Sequence, residues 1–179
     1  MLIALIVATE IVFAVLYFLG KPLESTSARY GIVSFQIAGN LEQSQKILAA
    51  WDGLDQQEQN AHPTRRIYAA FNLGLDFLFL VLYSNTIALA CIAAANVTEK
   101  RHYPPVCVSI GLILAWGQWL AALLDATENT ALFVQLLGSQ QNLWPHLALW
   151  CAIPKFSLVA LGILYVVIGI FSSVAMENI

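Results

Sequence analysis

Charge is what this chain has least of. Its 8 Lys and Arg and 11 Asp and Glu make only 11% of 179 residues charged, against about 25% in an ordinary soluble domain, so that class fits poorly. Cysteine is scarce too. Cys91, Cys107 and Cys151 show no CxxC spacing, which argues against a disulfide framework or a zinc ribbon. The three histidines, His62, His102 and His146, fall at or outside the ends of the apolar blocks, leaving haem or zinc ligation without donors. A net charge of −3 with no basic stripe argues against nucleic acid. No GxSxG, P-loop or Rossmann fingerprint occurs, and neither Glu10 nor Glu128 has a His three residues on, as a carboxylate-bridged di-iron bundle requires. The composition therefore implies no cofactor.

What is present is apolar and gathered into blocks. Apolar side chains make up 59% of the chain, and mean hydropathy is +0.72. A bilayer core of about 30 Å asks for about 20 helical residues. Helices are expected at about 1–19, 67–95, 106–137 and 147–175, each close to or beyond that length. The fold class expected is all-α, a polytopic membrane protein in which a single domain over 1–179 forms a four-transmembrane-helix bundle. The first block resembles a secretory signal in position, with Ser25 to Ala28 as small residues after it. It lacks a basic n-region and carries Glu10, so a retained first span is expected.

One long connection, Gly20 to Arg66, joins the first two spans. Gly20-Lys21-Pro22 stops the first helix, and Gly31 to Gly39 is apolar but too short to span. Asn40 then has the character of an N-cap, with Gln43 three residues on. From there LEQSQKILAAW sets Leu41, Ile47, Leu48 and Trp51 near one face and Gly53 as a stop. A short amphipathic helix is expected over about 41–52, lying on the membrane surface or capping the bundle. Asp55 to Thr64 is polar, and Pro63 sits where a helix start tolerates it. Trp51, Tyr68, Tyr103 and Trp144 are placed as interfacial anchors. Lys21, Arg29, Arg65 and Arg66 on the long-loop face, against Lys100 and Arg101 opposite, lean toward a cytoplasmic long loop and an outside N-terminus.

Ionisable residues within membrane spans are costly enough that each calls for a partner. Glu10, Asp76, Asp125, Glu128 and Lys155 are such residues. Counted from the helix ends on the long-loop face, all fall roughly 14 to 19 Å deep, so an up-down-up-down bundle would gather them into one polar layer. Helical phase adds Asn72, Tyr83 and Thr86 beside Asp76, and Gln118 and Asn129 beside Asp125. On the last span Lys155 shares a face with Gly162 and Gly169, which permit close approach. Pro154 removes a backbone donor next to it, and a kink is expected there. One lysine with one carboxylate could merely pin helix register. Four carboxylates against one lysine exceed that need, so the layer must hold protons or a bound cation.

The segments SFQIAGNLEQSQKILAAW, LDFLFLVLY, LLDATENTAL and IPKF resemble a group of small four-helix bacterial and cyanobacterial membrane proteins to which no activity attaches. That group carries an acid where this chain has Gln36. The resemblance implies an inner (plasma) or thylakoid membrane. From the residues themselves, the expected ligand-binding set is Glu10, Asn72, Asp76, Tyr83, Gln118, Asp125, Glu128, Asn129 and Lys155. It would accept a proton, a cation or a small polar solute, with homodimerisation to widen a path. The alternatives are an intramembrane enzyme acting on a lipid or isoprenoid, and an accessory subunit of a membrane complex.

Overall fold

The computed structural model describes residues 2–53 and 65–177, with side chains to residue 169. His62 and Pro63 lie outside the described residues. Among the described residues every regular element is helical: α1 (Leu2–Gly20), a 3-10 turn (Lys21–Leu23), α2 (Ile32–Gln36), α3 (Leu41–Trp51), α4 (Arg65–Lys100), α5 (Pro105–Leu136) and α6 (Leu143–Glu177). Four of these are long and apolar enough to cross a membrane, with mean hydropathy from 1.9 to 2.6 over their most apolar stretches.

Helices α4, α5 and α6 pack against one another, whereas α1 packs chiefly along α4. That difference follows from sequence. Small residues let α5 and α6 approach closely: a Cβ at Gly162 would stand 2.5 Å from Gln118 Nε2 and 2.9 Å from Ile87 Cγ2. Helix α1 is apolar on every side and buries no residue fully, which leaves no single stripe to dictate its seat. Two hydrogen bonds set it instead. Thr86 Oγ1 shares a 2.9 Å bond with Thr9 Oγ1, and Asn72 Nδ2 donates to the Leu16 carbonyl at 2.9 Å.

The polar and apolar sides are inverted relative to a soluble bundle. Gln118, Asp125, Glu128, Asn129 and Lys155 are buried, while Ile113, Trp116, Leu123 and Trp150 are each at least 67% exposed. Helix α4 runs to Lys100, beyond the expected end near 95; within its last turns Thr98 Oγ1 donates to the Ala94 carbonyl at 2.8 Å, and Pro104 and Pro105 follow. The α6 helix continues through Pro154 without interruption. The missing proline N–H leaves the Trp150 carbonyl without its usual helical donor.

At the end of the bundle where α1 stops and α4 starts, α3 forms a cap. Asn40 Oδ1 accepts from the Gln43 N–H at 2.9 Å, and Gly53, at φ 76°, turns the chain away after Trp51. Of the two expected placements, bundle-capping is the one adopted. Ile47, Leu48 and Trp51 enter one apolar cluster with Phe35, Leu73 and Leu132 instead of facing outward. Trp51 is fully buried, lies edge-on to Phe35 at 5.2 Å and donates from Nε1 to the Leu23 carbonyl at 2.9 Å.

Candidate functional site

Three helices deliver the polar cluster. Lys155 of α6 reaches α5 between two acids, with Nζ 2.8 Å from Asp125 Oδ1 and 2.6 Å from Glu128 Oε2. Asp125 Oδ2 accepts from the Tyr83 hydroxyl of α4 at 3.0 Å. Asn129, one turn further along α5, donates from Nδ2 to Asp76 Oδ2 of α4 at 2.6 Å. The spacing is that of antiparallel helices: Asp76 and Tyr83 lie two turns apart on α4, Asn129 and Asp125 about one turn apart on α5.

Burial makes the charge balance consequential. Asp125 is 3% exposed, Lys155 4%, Glu128 and Asn129 0%. Asp125 has both oxygens engaged, by an ammonium and a phenol. Among the described residues Glu128 Oε1 and Asn129 Oδ1 have no hydrogen-bond partner, and the Lys155 contact with Glu128 Oε2 is ionic without hydrogen-bond angles. Two carboxylates thus share one ammonium, and a third, Asp76, joins the cluster through Asn129. Buried acceptors in this excess demand donors, as protons, water or a cation.

The cluster does not stand closed. A cavity of about 800 Å³ is walled by α1, α4 and α6 and reaches Asp76, Asp125, Tyr83 and Lys155. It extends along α1 from Gly20 to Ile6, about 21 Å at helical rise. Its walls are mainly apolar and aromatic. Phe13 and Phe79 stand 6.0 Å apart, and Phe79 and Tyr83 5.3 Å apart, forming a short aromatic ladder between α1 and α4. At the capped end the cavity meets Glu24, Arg29 and Gln36.

The nine expected site residues divide. Asp76, Tyr83, Asp125, Glu128, Asn129 and Lys155 come together as described. Asn72 and Gln118 instead tie helices: Asn72 to α1, and Gln118 Nε2 to the Leu158 carbonyl of α6 at 3.0 Å. Glu10 is exposed on α1 and lines the same cavity as Asp76, Asp125 and Lys155, without a hydrogen bond or ion pair to them. Its expected depth assumed that α1 and α4 end level. They do not, because Gly20 lies beside Asn72, where a Cβ would be 3.8 Å from Nδ2, seven residues into α4. Thr9 accordingly meets Thr86, ten residues past Asp76 in the chain and about 15 Å along the helix. Along α1 Glu10 therefore stands nearer the level of Tyr83 than that of Asp76, while the bonded cluster joins three carboxylates, Asp76, Asp125 and Glu128.

Sequence reasoning did not single out Thr9, Phe13, Phe79, Arg29 or Gln36 as cavity-lining residues. Thr9 carries a usable signal as a hydroxyl beside Glu10 in an apolar run; the phenylalanines carry none. Among the described residues no group of three or more His, Cys, Asp or Glu side chains is placed to hold a metal ion, and the centre of the acids is taken by the Lys155 ammonium. His102 lies in the turn after α4 and His146 bonds Asn142 at 3.0 Å, both apart from the cluster. Cys91, Cys107 and Cys151 are free thiols. No family of known proteins, no curated protein and no solved structure matches this chain.

Proposed function

We propose that this protein spans a bilayer four times, with α3 on the cytoplasmic side, and that its carboxylate–lysine cluster exchanges a proton for a small cationic or polar solute entering through the cavity. One relationship supports this above all. Three carboxylates, Asp76, Asp125 and Glu128, gather in a cluster with one ammonium, paired to the last two, at a cavity of about 800 Å³, so the cluster is built short of positive charge where solute can reach it. The apolar exterior supports the membrane setting. Lys21, Arg29, Lys46, Arg65 and Arg66 on the α3 side, against Lys100 and Arg101 opposite, support the orientation.

A pH jump applied to proteoliposomes on a solid-supported membrane is the test. A transient charge displacement is expected, reduced severalfold or more in Asp76→Asn and in Asp125→Asn. Currents in the wild type no larger than those of protein-free liposomes would refute proton exchange at this cluster.

A further inference from the structure

The solute that this cavity suits follows from its wall chemistry, and the inference rests on the proton-exchange site just proposed. Four carboxylates line the cavity, Glu10, Glu24, Asp76 and Asp125, against two cations, Arg29 and Lys155. Lys155 is already committed to Asp125 and Glu128. Asp76 accepts from the neutral amide of Asn129, lies close to the Asp125 carboxylate, and is partly accessible where the cluster around it is closed. Behind the wall, Glu128 Oε1 and Asn129 Oδ1 are fully buried acceptors without donors. The field at Asp76 is therefore one that attracts positive charge.

The rest of the wall attracts something apolar. Phe13, Phe79 and Tyr83 line the same cavity as Asp76 and Asp125, and Ile6, Val159 and Ile163 add to its apolar lining. A small hydrated ion would gain nothing from that surface, and a cavity of about 800 Å³ is in the range of sites for drug-sized molecules. Aromatic faces around an uncompensated carboxylate are the arrangement that holds an organic cation, by Coulomb attraction and cation–π contact together.

We infer that the cavity binds a lipophilic organic cation, with its charged centre at Asp76 and its apolar body against the Phe13–Phe79–Tyr83 ladder. Binding displaces the proton that Asp76 otherwise shares, so uptake of the cation releases a proton, and acid weakens binding. Glu10, farther along the same wall, offers a second carboxylate toward which the cation can move.

The probe is radiolabelled tetraphenylphosphonium, measured on the purified protein in lipid nanodiscs with empty nanodiscs subtracted, beside tetraphenylborate, an anion of the same shape. Tetraphenylphosphonium should bind and tetraphenylborate should not. Affinity should fall more than about tenfold in Asp76→Asn and about threefold or more in Phe79→Ala, and by a similar factor as pH drops from 8 to 5. Asp76→Glu, which keeps the charge, should retain most of the affinity and so separates loss of charge from loss of fold. Equal binding of the two ions, no binding of either, or an unchanged affinity in Asp76→Asn would overturn the inference. A pH-jump current in a protein that does not bind tetraphenylphosphonium would remove the organic cation and leave the proton site standing. Binding without a current would remove proton exchange and keep the cation site.

Discussion

Asn129 gives its amide to Asp76, and no described residue gives a proton to its own carbonyl: Nδ2 lies 2.6 Å from Asp76 Oδ2, while the fully buried Oδ1 has no partner among the described residues. One side chain thus orients the carboxylate that faces the cavity and displays the deficit of donors around it. An apolar replacement removes both roles. Asn129→Leu should lower the thermal midpoint and abolish the pH-jump current, whereas Asn129→Asp should worsen the charge excess and destabilise further. Differential scanning fluorimetry with the current measurement checks the order.

Among the described residues Lys155 is the one counter-charge between two buried acids, and its removal leaves them with none. Lys155→Met is expected to destabilise by about 3–5 kcal/mol. Adding Asp125→Asn and Glu128→Gln to it should recover most of the loss, because the cost lies in the uncompensated charge and not in the missing amine. Thermal unfolding of the single and triple variants decides this; a Lys155→Met variant as stable as the wild type would contradict the buried network.

Two glycines should respond oppositely to alanine. A Cβ at Gly162 meets Gln118 Nε2 at 2.5 Å and Ile87 Cγ2 at 2.9 Å, while at Gly74 nothing lies within 4 Å. Gly162→Ala should cost about 1–3 kcal/mol by overpacking the α5–α6 seam. Gly74→Ala should gain about 0.5–1 kcal/mol from helix propensity. Their melting temperatures, read side by side, test how closely α6 approaches its neighbours.

Trp51 anchors the cap. Trp51→Ala should cost about 3–5 kcal/mol and expose the amides of residues 44–51 to hydrogen exchange while those of α5 stay protected. Trp51→Phe keeps the apolar contact with Phe35 and loses the bond to the Leu23 carbonyl, so about 1 kcal/mol is expected. Exchange mass spectrometry by segment separates these outcomes.

The offset of α1 along α4 is open to a direct check. With Cys91, Cys107 and Cys151 replaced by serine, cysteines at positions 9 and 86 should cross-link under mild oxidant. Cysteines at positions 10 and 76 should not. The reverse pattern would contradict this offset.

Much of this was written along the chain. The block lengths placed four long helices, the Asn40–Gln43 spacing placed the start of α3, and helical phase put Asp76 with Tyr83 and Asp125 with Asn129. The small residues at Gly162 and Gly169 pointed to the close side of α6. Counting depth from helix ends succeeded for α4, α5 and α6, whose ends at the cap lie near one level, and failed for α1, which ends seven residues into α4.

Periodicity fixes the direction in which a side chain leaves its helix, and block length fixes how many residues a span holds, because both follow from local backbone geometry. Sequence alone therefore determined four apolar helices with acids and one lysine turned inward. Neither quantity contains the axial offset between two helices, which is set by contacts formed only on assembly: Thr9 with Thr86, Asn72 with the Leu16 carbonyl, and the α3 cap seated on the bundle end. Tertiary structure decided how far along α4 the first helix sits, and that Glu10 opens onto a cavity which Asp76, Asp125 and Lys155 also line, since those contacts form only on assembly.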